Sequence, residues 1–305
     1  MLIENKYLKY YKSKSYDIYK IHWYNFIRNI NNKHILNNFS NKFKKYWNMI
    51  DHTHYNWWSF ISLNKNSIDL LEANSEKINW NYLCNNKNGI KILKEHPSKI
   101  NWYLLSYNET VIELLTENQD KINWSSLCFN INAIELLKEN QEKIDWVCIS
   151  KNINAIDLLK NNQDKLDWKL LSLNINAIEI LKNNKNKIDW SNLSKNENAI
   201  ELLTENYDRI DWDNLSFNKN AIDLLSENTS KINWYNLSSN EGAYELLFQN
   251  KNKIKWRKLA FNKTAILYFT EHMNNKFLYN LVIRYNYDTY YNNLIFKLKY
   301  ININL

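Results

Sequence analysis

Glycine and proline are almost absent from this chain of 305 residues, which contains two glycines, Gly89 and Gly242, and one proline, Pro97. Other residues must therefore supply the turns and helix ends that these two usually provide. A glycine-rich phosphate loop is excluded, and neither a C-x-x-C nor an H-E-x-x-H motif occurs. No run of about 18 apolar residues is present, and the start lacks the apolar core of a signal peptide. We therefore expect an intracellular protein without a membrane span.

A tandem repeat dominates the sequence. Ten tryptophans recur every 22 residues without insertion or deletion, which indicates one small unit copied in tandem. Numbering each copy from slot 1 at its tryptophan to slot 22 gives the motif W-x-x-L-S-x-N-x-N-A-I-x-L-L-x-x-N-x-x-K-I-D/N. The tryptophans are Trp58, Trp80, Trp102, Trp124, Trp146, Trp168, Trp190, Trp212, Trp234 and Trp256. Slot 7 is asparagine in every copy, and its inner members are Asn108, Asn130, Asn152, Asn174, Asn196 and Asn218. We expect these two slots to belong to the structural core of the array.

Two short helices are predicted in each copy. Apolar residues at slots 10, 11, 13 and 14 have the spacing of one helix face, and we call this element the slot-11 helix. The asparagines at slots 7 and 9 are expected to accept hydrogen bonds from its first amides, and the asparagine at slot 17 is expected to end it in the left-handed region. Asn or Asp at slot 22 is expected to cap a shorter helix with Trp at slot 1 and Leu or Ile at slot 4, which we call the slot-1 helix.

These features predict an all-α fold, an α-solenoid of ten 22-residue helix-turn-helix repeats with divergent terminal caps. One copy buries too little apolar surface to fold alone, so neighbouring copies must stack. A leucine-rich repeat can have the same period, but it needs an L-x-L strand before its asparagine. Slot 2 varies from Ser59 to Lys169 to Asp213, so that alternative is weaker.

Charge divides the chain into three segments. Residues 1–57, the predicted basic and aromatic-rich N-terminal cap, hold ten Lys and Arg against three Asp and Glu, a net charge of +7. Residues 58–277, the predicted solenoid, hold 27 against 28, and residues 278–305, the predicted C-terminal cap or tail, hold three against one. The array is close to neutral, which argues against a nucleic acid bound along its length.

Two polar stripes run through the repeats. Lys or Arg fills slot 20 in nine copies, and Asp or Glu fills slot 12 in eight. Because the stripes have opposite signs, they predict pairing between repeats and solubility rather than phosphate binding.

The variable slots point to a partner surface, because a solenoid changes partner through residues that stacking does not dictate. Large apolar residues recur at slots 6 and 8, and we predict a ridge suited to a protein partner. In the alternative interpretation, which stays open, slot 6 packs between repeats and the apolar residues at slot 8 are tolerated singly. The candidate partner-binding residues are Tyr107, Phe129, Ile131, Ile153, Leu173, Ile175 and Phe217.

Candidates for catalysis or metal binding are few. His52 and His54 form a compact pair without a third positioned ligand, and the serines of slot 5 have no histidine in register. Cys84 and Cys128 take the serine slot two repeats apart, roughly 16 to 20 Å, which is too far for a disulfide. With Cys148 they are interpreted as small residues in a reducing compartment. We expect no enzyme activity, no cofactor and no metal site.

The motif I-D-W-x-x-L-S-x-N-x-N-A-I-x-L-L, seen from Ile188 to Leu203, resembles the short tandem repeats of uncharacterised proteins of giant nucleocytoplasmic DNA viruses. The resemblance spans residues 58–270. Typical members carry proline before the second asparagine and after the third, and here only Pro97, in the latter place, matches. The resemblance implies an α-helical solenoid in the host cytoplasm or the virion, with no catalytic residue to carry over.

Three functions follow as hypotheses. The first is a non-enzymatic protein-protein interaction scaffold that binds a host or viral protein along the ridge. The second is nucleic-acid association through the basic residues 1–57, and the third is a structural virion component. The sequence itself does not identify the partner.

Overall fold

The computed structural model describes residues 57–259 and 261–272, and every regular element in these two ranges is helical. Short helices repeat with the 22-residue period and pack on their sequence neighbours. This confirms the predicted all-α solenoid, and the leucine-rich alternative fails because none of the described residues forms a strand. The predicted C-terminal segment, and the N-terminal segment apart from Trp57, lie outside the described residues, as do His52 and His54.

The chain divides into two compact units, a first unit of Met1–Ile149 and a second unit of Ser150–Leu305. Each repeat in both units contains one slot-1 helix and one slot-11 helix, and in most repeats a short 3-10 turn follows the slot-11 helix and leads to the next repeat. The slot-1 helices are Trp57–Leu63, Trp80–Cys84, Trp102–Ser106, Trp124–Leu127, Trp146–Ile149, Trp168–Leu171, Trp190–Leu193, Trp212–Leu215, Trp234–Leu237 and Trp256–Leu259. The slot-11 helices are Ile68–Glu72, Ile90–Glu95, Ile112–Thr116, Ile134–Glu139, Ile156–Asn161, Ile178–Lys182, Ile200–Glu205, Ile222–Glu227, Tyr244–Gln249 and Lys263–His272. The 3-10 turns are Ser75–Lys77, Pro97–Lys99, Gln119–Lys121, Gln141–Lys143, Lys185–Lys187, Tyr207–Arg209, Thr229–Lys231, Glu241–Ala243 and Lys251–Lys253.

The slot-1 helices begin at a side-chain cap, as the sequence predicts. Oδ1 of Asp189 accepts from the backbone N–H of Asn192 at 2.8 Å, and Oδ1 of Asn123 accepts from Ser126 at 2.9 Å. Both cap residues have extended backbone angles, which is the usual conformation of an N-cap. Slot 22 therefore starts the helix that carries the tryptophan.

The slot-11 helices end differently from the prediction. At Asn206, in slot 17, φ is −128° and ψ is 52°, and none of the described residues has a positive φ. The side chain ends the helix instead, because Nδ2 of Asn206 donates to the carbonyl of Leu202 at 2.7 Å. The left-handed prediction for slot 17 is therefore wrong, and a chain without such turns has little need of glycine.

The core of each repeat consists of aliphatic residues from both helices. Leu193 at slot 4, Ala199 at slot 10 and Leu203 at slot 14 are fully buried, and Ile210 at slot 21 is nearly so. The slot-1 tryptophans are only half-buried in the described repeats. Their rings form the border of the core, where a lysine from slot 20 covers them, as Lys187 does Trp168 at 4.6 Å from the ring centroid.

Ion pairs follow a different arrangement from the predicted pairing of slots 12 and 20. The slot-12 carboxylate of Glu201 pairs with Lys182 of slot 15 in the preceding repeat, at 2.7 Å. The slot-20 lysines lie over aromatic rings, and Lys143 also donates to Oδ1 of Asn140 at 3.0 Å. In the same slot Arg209 pairs with the carboxylate of Asp208, the residue before it, at 3.5 Å.

The slot-7 asparagines join consecutive repeats. Asn196 is 2% exposed, and its Nδ2 donates to two backbone carbonyls of the preceding repeat, those of Ser172 and Asn174, both at 3.0 Å. Its Oδ1 accepts from the backbone N–H of Asn198, also at 3.0 Å. The same three bonds recur at Asn86, Asn108, Asn130, Asn174, Asn218 and Asn240. In these repeats the asparagine does not bind the first amides of the slot-11 helix, so its main role differs from the predicted one. At Asn262 the predicted cap is found, because its Oδ1 accepts from the N–H of Ala265 in the first turn of Lys263–His272 at 2.8 Å.

Slots 5 and 9 add two further polar links. Nδ2 of Asn198 donates to the carbonyl of Ile175 in the preceding repeat at 2.9 Å. Ser194 is fully buried, accepts from the N–H of Asp211 at 3.0 Å and donates to the carbonyl of Trp190 at 2.8 Å. Buried polar side chains thus satisfy backbone groups inside and between repeats, as burial requires.

Candidate protein interface

Three exposed rings of the first unit form the candidate interface, which we call the aromatic cluster: Tyr103, Tyr107 and Phe129. Tyr107 and Phe129 are stacked, with ring centroids 5.8 Å apart and an interplanar angle of 22°. Tyr103 meets Tyr107 edge-on at 5.6 Å, and their hydroxyl oxygens are 3.5 Å apart. The exposed fractions are 53% for Tyr103, 36% for Tyr107 and 40% for Phe129. Such contiguous exposed aromatic surface is typical of protein-binding sites.

Local structure explains how these rings come together. Tyr107 and Phe129 both occupy slot 6, the residue before the buried asparagines Asn108 and Asn130. Asn130 donates to the carbonyl of Asn108 and so fixes the distance between these two consecutive repeats. The rings of the preceding residues, Tyr107 and Phe129, therefore stack. Tyr103 lies four residues, about one helical turn, before Tyr107, so both rings project from the same side of the helix.

Sequence reasoning included Tyr107 and Phe129 and missed Tyr103. The spacing of four residues between Tyr103 and Tyr107 on a predicted helix was the available signal. The contact between the two hydroxyls raises the pKa of Tyr103, chiefly through the hydrogen bond with Tyr107. The Tyr103 hydroxyl therefore stays protonated at physiological pH.

The remaining predicted residues lie at equivalent positions. Ile131, in the first unit, is half-buried, and so are Ile153, Leu173 and Ile175 in the second unit. Phe217, also in the second unit, is 45% exposed. Tyr107, Phe129 and Phe217 therefore do not pack fully between repeats, whereas the aliphatic members are partly covered.

Slot 8 shows how neighbouring repeats approach one another at this edge. Nζ of Lys87 lies 3.7 Å from Oε2 of Glu109, and Nζ of Lys219 lies 2.8 Å from Oε2 of Glu197. Each pair joins slot 8 of consecutive repeats. In the second unit Ile153 and Ile175 occupy slot 8 of consecutive repeats, where apolar side chains take the place of such a pair.

The three cysteines have raised thiol pKa values, as expected of structural rather than reactive residues. Burial raises the pKa of the Cys84 thiol, and it raises that of Cys128 to about 12. Burial also raises the pKa of Cys148 to about 11, together with a hydrogen bond to the Asp145 carboxylate. These thiols are protonated at neutral pH and are poor nucleophiles.

Asp145 is a helix N-cap whose ionised carboxylate is stabilised by hydrogen bonds. Burial alone would raise the pKa of its carboxyl group, but hydrogen bonds from the Cys148 backbone, the Cys148 thiol and the Ser125 hydroxyl together lower it. The carboxylate caps the helix Trp146–Ile149 through the N–H of Cys148 at 3.1 Å. This carboxylate therefore has a structural explanation.

Residues 57–259 and 261–272 contain no group of three or more His, Cys, Asp or Glu side chains arranged to hold a metal ion. No helix in the same ranges has the length and apolarity needed to cross a membrane.

Comparison with known proteins gives no relative: no protein family, no curated protein and no solved structure matches the chain. The candidate interface therefore rests on its own geometry.

Proposed function

We propose that the protein is a non-enzymatic interaction scaffold that binds a host or viral protein through the exposed edge of its repeats. The observation that carries this proposal is the aromatic cluster, in which Tyr103, Tyr107 and Phe129 are more than a third exposed although they contact one another. Exposing apolar rings in water is unfavourable, and large aromatic residues dominate the energy of many protein interfaces. The resemblance to giant-virus repeat proteins supports the choice of an infected cell as the setting.

Site-directed photo-crosslinking tests this proposal. A benzophenone amino acid at position 107 or 129 of the full chain, expressed in host cells, is expected to attach one defined partner protein. The same amino acid at Tyr235, which is 52% exposed and lies under Lys258, is the matched control and should not capture that partner. Equal labelling at all three positions would contradict a specific interface.

Substitution provides the second arm. Changing Tyr103 and Phe129 to serine together should leave helical content and the melting temperature nearly unchanged, because both rings lie outside the core. The same change should remove the crosslinked partner. Retained capture, or a collapsed fold, would each refute the assignment.

A second candidate function rests on the charge of residues 1–57, where ten basic residues face three acidic ones. Such a segment can bind phosphate backbones while the neutral array acts as a spacer. Affinity of the full chain for a DNA or RNA oligonucleotide should then fall steeply with salt. Replacing Lys6, Lys9, Lys12 and Lys14 with glutamine should reduce the salt slope, and a slope that does not change would exclude this segment.

A further inference from the structure

Lysine ammonium groups lie over aromatic rings along both units of the chain. In the first unit Lys121 covers Trp102 at 5.2 Å and Lys143 covers Trp124 at 4.6 Å from the ring centroid. In the second unit Lys258 covers the exposed ring of Tyr235 at 4.6 Å. A cation at this distance is attracted by the negative face of the ring. Several repeats therefore cover an aromatic face with one of the chain's own lysines.

The aromatic cluster departs from this pattern. Within the described ranges no Lys or Arg side chain lies over the rings of Tyr103, Tyr107 or Phe129, whose ring contacts are with one another. Stacking of Tyr107 on Phe129 covers one face of each ring, and between 36% and 53% of each residue remains exposed. Its exposed fractions show that a guanidinium or ammonium group can reach it from solvent.

The charge of the surrounding repeats suits such a group. Residues 58–149 hold nine lysines and no arginine against twelve Asp and Glu, a net charge of −3. Glu109 follows Tyr107 by two residues; it pairs with Lys87 at 3.7 Å, and 39% of its side chain is exposed. An approaching cation would therefore meet aromatic faces on a segment of net negative charge, where the charge favours encounter and the ring faces favour binding.

We propose that the aromatic cluster binds an arginine- or lysine-bearing segment of the partner protein, whose cation takes the place that the chain's own lysines take over other rings. This inference rests on the proposed scaffold function and names the chemistry of its partner. Arginine is the better ligand, because its planar guanidinium both stacks on an aromatic ring and keeps its charge.

The test uses the full chain and a short unstructured peptide, Gly-Arg-Gly-Arg-Gly, capped at both ends. Aromatic NMR signals of Tyr103, Tyr107 and Phe129 should shift on titration. The matched peptide with citrulline in place of arginine should bind with an affinity at least roughly fivefold lower, because it lacks the cation. Equal affinity for the two peptides would overturn the proposal.

A variant pair separates this inference from the scaffold function. Changing Tyr107 and Phe129 to leucine keeps apolar surface but removes the ring faces, whereas changing them to serine removes both. With the benzophenone amino acid placed at position 103, the proposal expects both variants to lose the arginine peptide and the crosslinked partner. If leucine retains the partner and serine loses it, the cationic assignment is overturned and the scaffold function stands. If serine also retains the partner, the scaffold function itself fails.

The chain's own basic segment, residues 1–57, is the competing occupant. Replacing its lysines with glutamine in the full chain should leave the affinity for the arginine peptide unchanged. A clear gain in affinity would show that this segment already occupies the cluster, and it would overturn the assignment to a partner.

Discussion

The side chain of Asn196 donates to the backbone carbonyl of Asn174, 22 residues earlier in the sequence, at 3.0 Å. One buried amide thus joins two consecutive repeats. It donates a second bond to the carbonyl of Ser172 and accepts one from Asn198, so both amide hydrogens and the amide oxygen have partners. The bond between repeats is therefore part of a buried polar network, which makes its removal costly.

Changing Asn196 to alanine should lower the free energy of unfolding by about 2 to 4 kcal/mol, because it removes the side-chain partner of the Ser172 carbonyl and of the Asn198 N–H, and one of the two bonds to the Asn174 carbonyl. Changing it to aspartate should be worse, since a carboxylate would face two carbonyl oxygens. Urea denaturation followed by circular dichroism measures both. The exposed Asn186 is the matched control, and its replacement by alanine should change stability by less than about 0.5 kcal/mol. Equal effects at the two positions would contradict the proposed role of Asn196.

The helix end at Asn206 gives a second prediction. Alanine should cost about 1 kcal/mol through the lost bond to the Leu202 carbonyl, and glycine about 2 kcal/mol, because it also frees the unfolded backbone. A left-handed residue would give the opposite order, since glycine is favoured there. Denaturation midpoints of the two variants decide between these conformations, and a glycine variant more stable than the alanine variant would exclude the observed one.

Lys231 tests the value of cation–ring contacts within the chain. Its Nζ lies 4.5 Å from the Trp212 ring centroid and 4.3 Å from that of Tyr207. Replacement by methionine should lower the free energy of unfolding by about 0.5 to 1 kcal/mol. As control, methionine at Lys185, which forms an exposed ion pair with Glu205, should shift the denaturation midpoint less. A larger shift for Lys185 would weaken the case for cation–ring contacts at the aromatic cluster as well.

Thiol reactivity should follow burial. With pKa values of about 11 for Cys148 and about 12 for Cys128, the thiolate fraction of each at pH 8 is on the order of a thousandth or less. Iodoacetamide should therefore label Cys148, which is half-buried, before Cys128, and both more slowly than a free cysteine. Mass spectrometry of the digested protein gives the order. Rapid labelling of Cys128 in folded protein would show that its repeat opens.

The pKa of Glu201 should depend on one lysine. Hydrogen bonding and charge attraction from Lys182 lower it below its usual 4.5, so the stability due to this pair is present above that value and is lost as pH falls through the lowered pKa. Changing Lys182 to methionine should return the Glu201 pKa towards 4.5, as followed by carboxyl carbon NMR. The same change at Lys185, whose Nζ lies 3.4 Å from Glu205, should leave Glu201 titrating as before. An unmoved Glu201 in the Lys182 variant would show that the ion pair does not persist in solution.

The helices could be predicted because their signals are local. The apolar spacing of slots 10 to 14 and the cap at slot 22 act within a few residues, so a single copy of the motif contains them. The 22-residue period of the tryptophans then predicts that the copies stack on one another. In contrast, Asn196 has its partners 22 and 24 residues away, and only the stacked geometry shows which carbonyls its amide reaches.

Conformation at the ends of elements was harder to predict. Asn206 was assigned to the left-handed region by residue preference, but its side chain reaches the helix end from φ −128° and removes the need for that conformation. The aromatic cluster was predicted in part, since variation at slot 6 marks Tyr107 and Phe129. Tyr103 lies in slot 2. The exposure of this slot depends on the packing of adjacent repeats, which the motif of a single repeat does not specify.

The acceptors of the slot-7 amides are main-chain carbonyls, as at Ser172 and Asn174, and every amino acid supplies such a group. An asparagine of this kind can therefore dock on a neighbour of almost any composition. Duplication or loss of the 22 codons that encode one repeat would preserve this type of bond. The number of repeats can therefore change in evolution without new substitutions at the contact between neighbouring repeats.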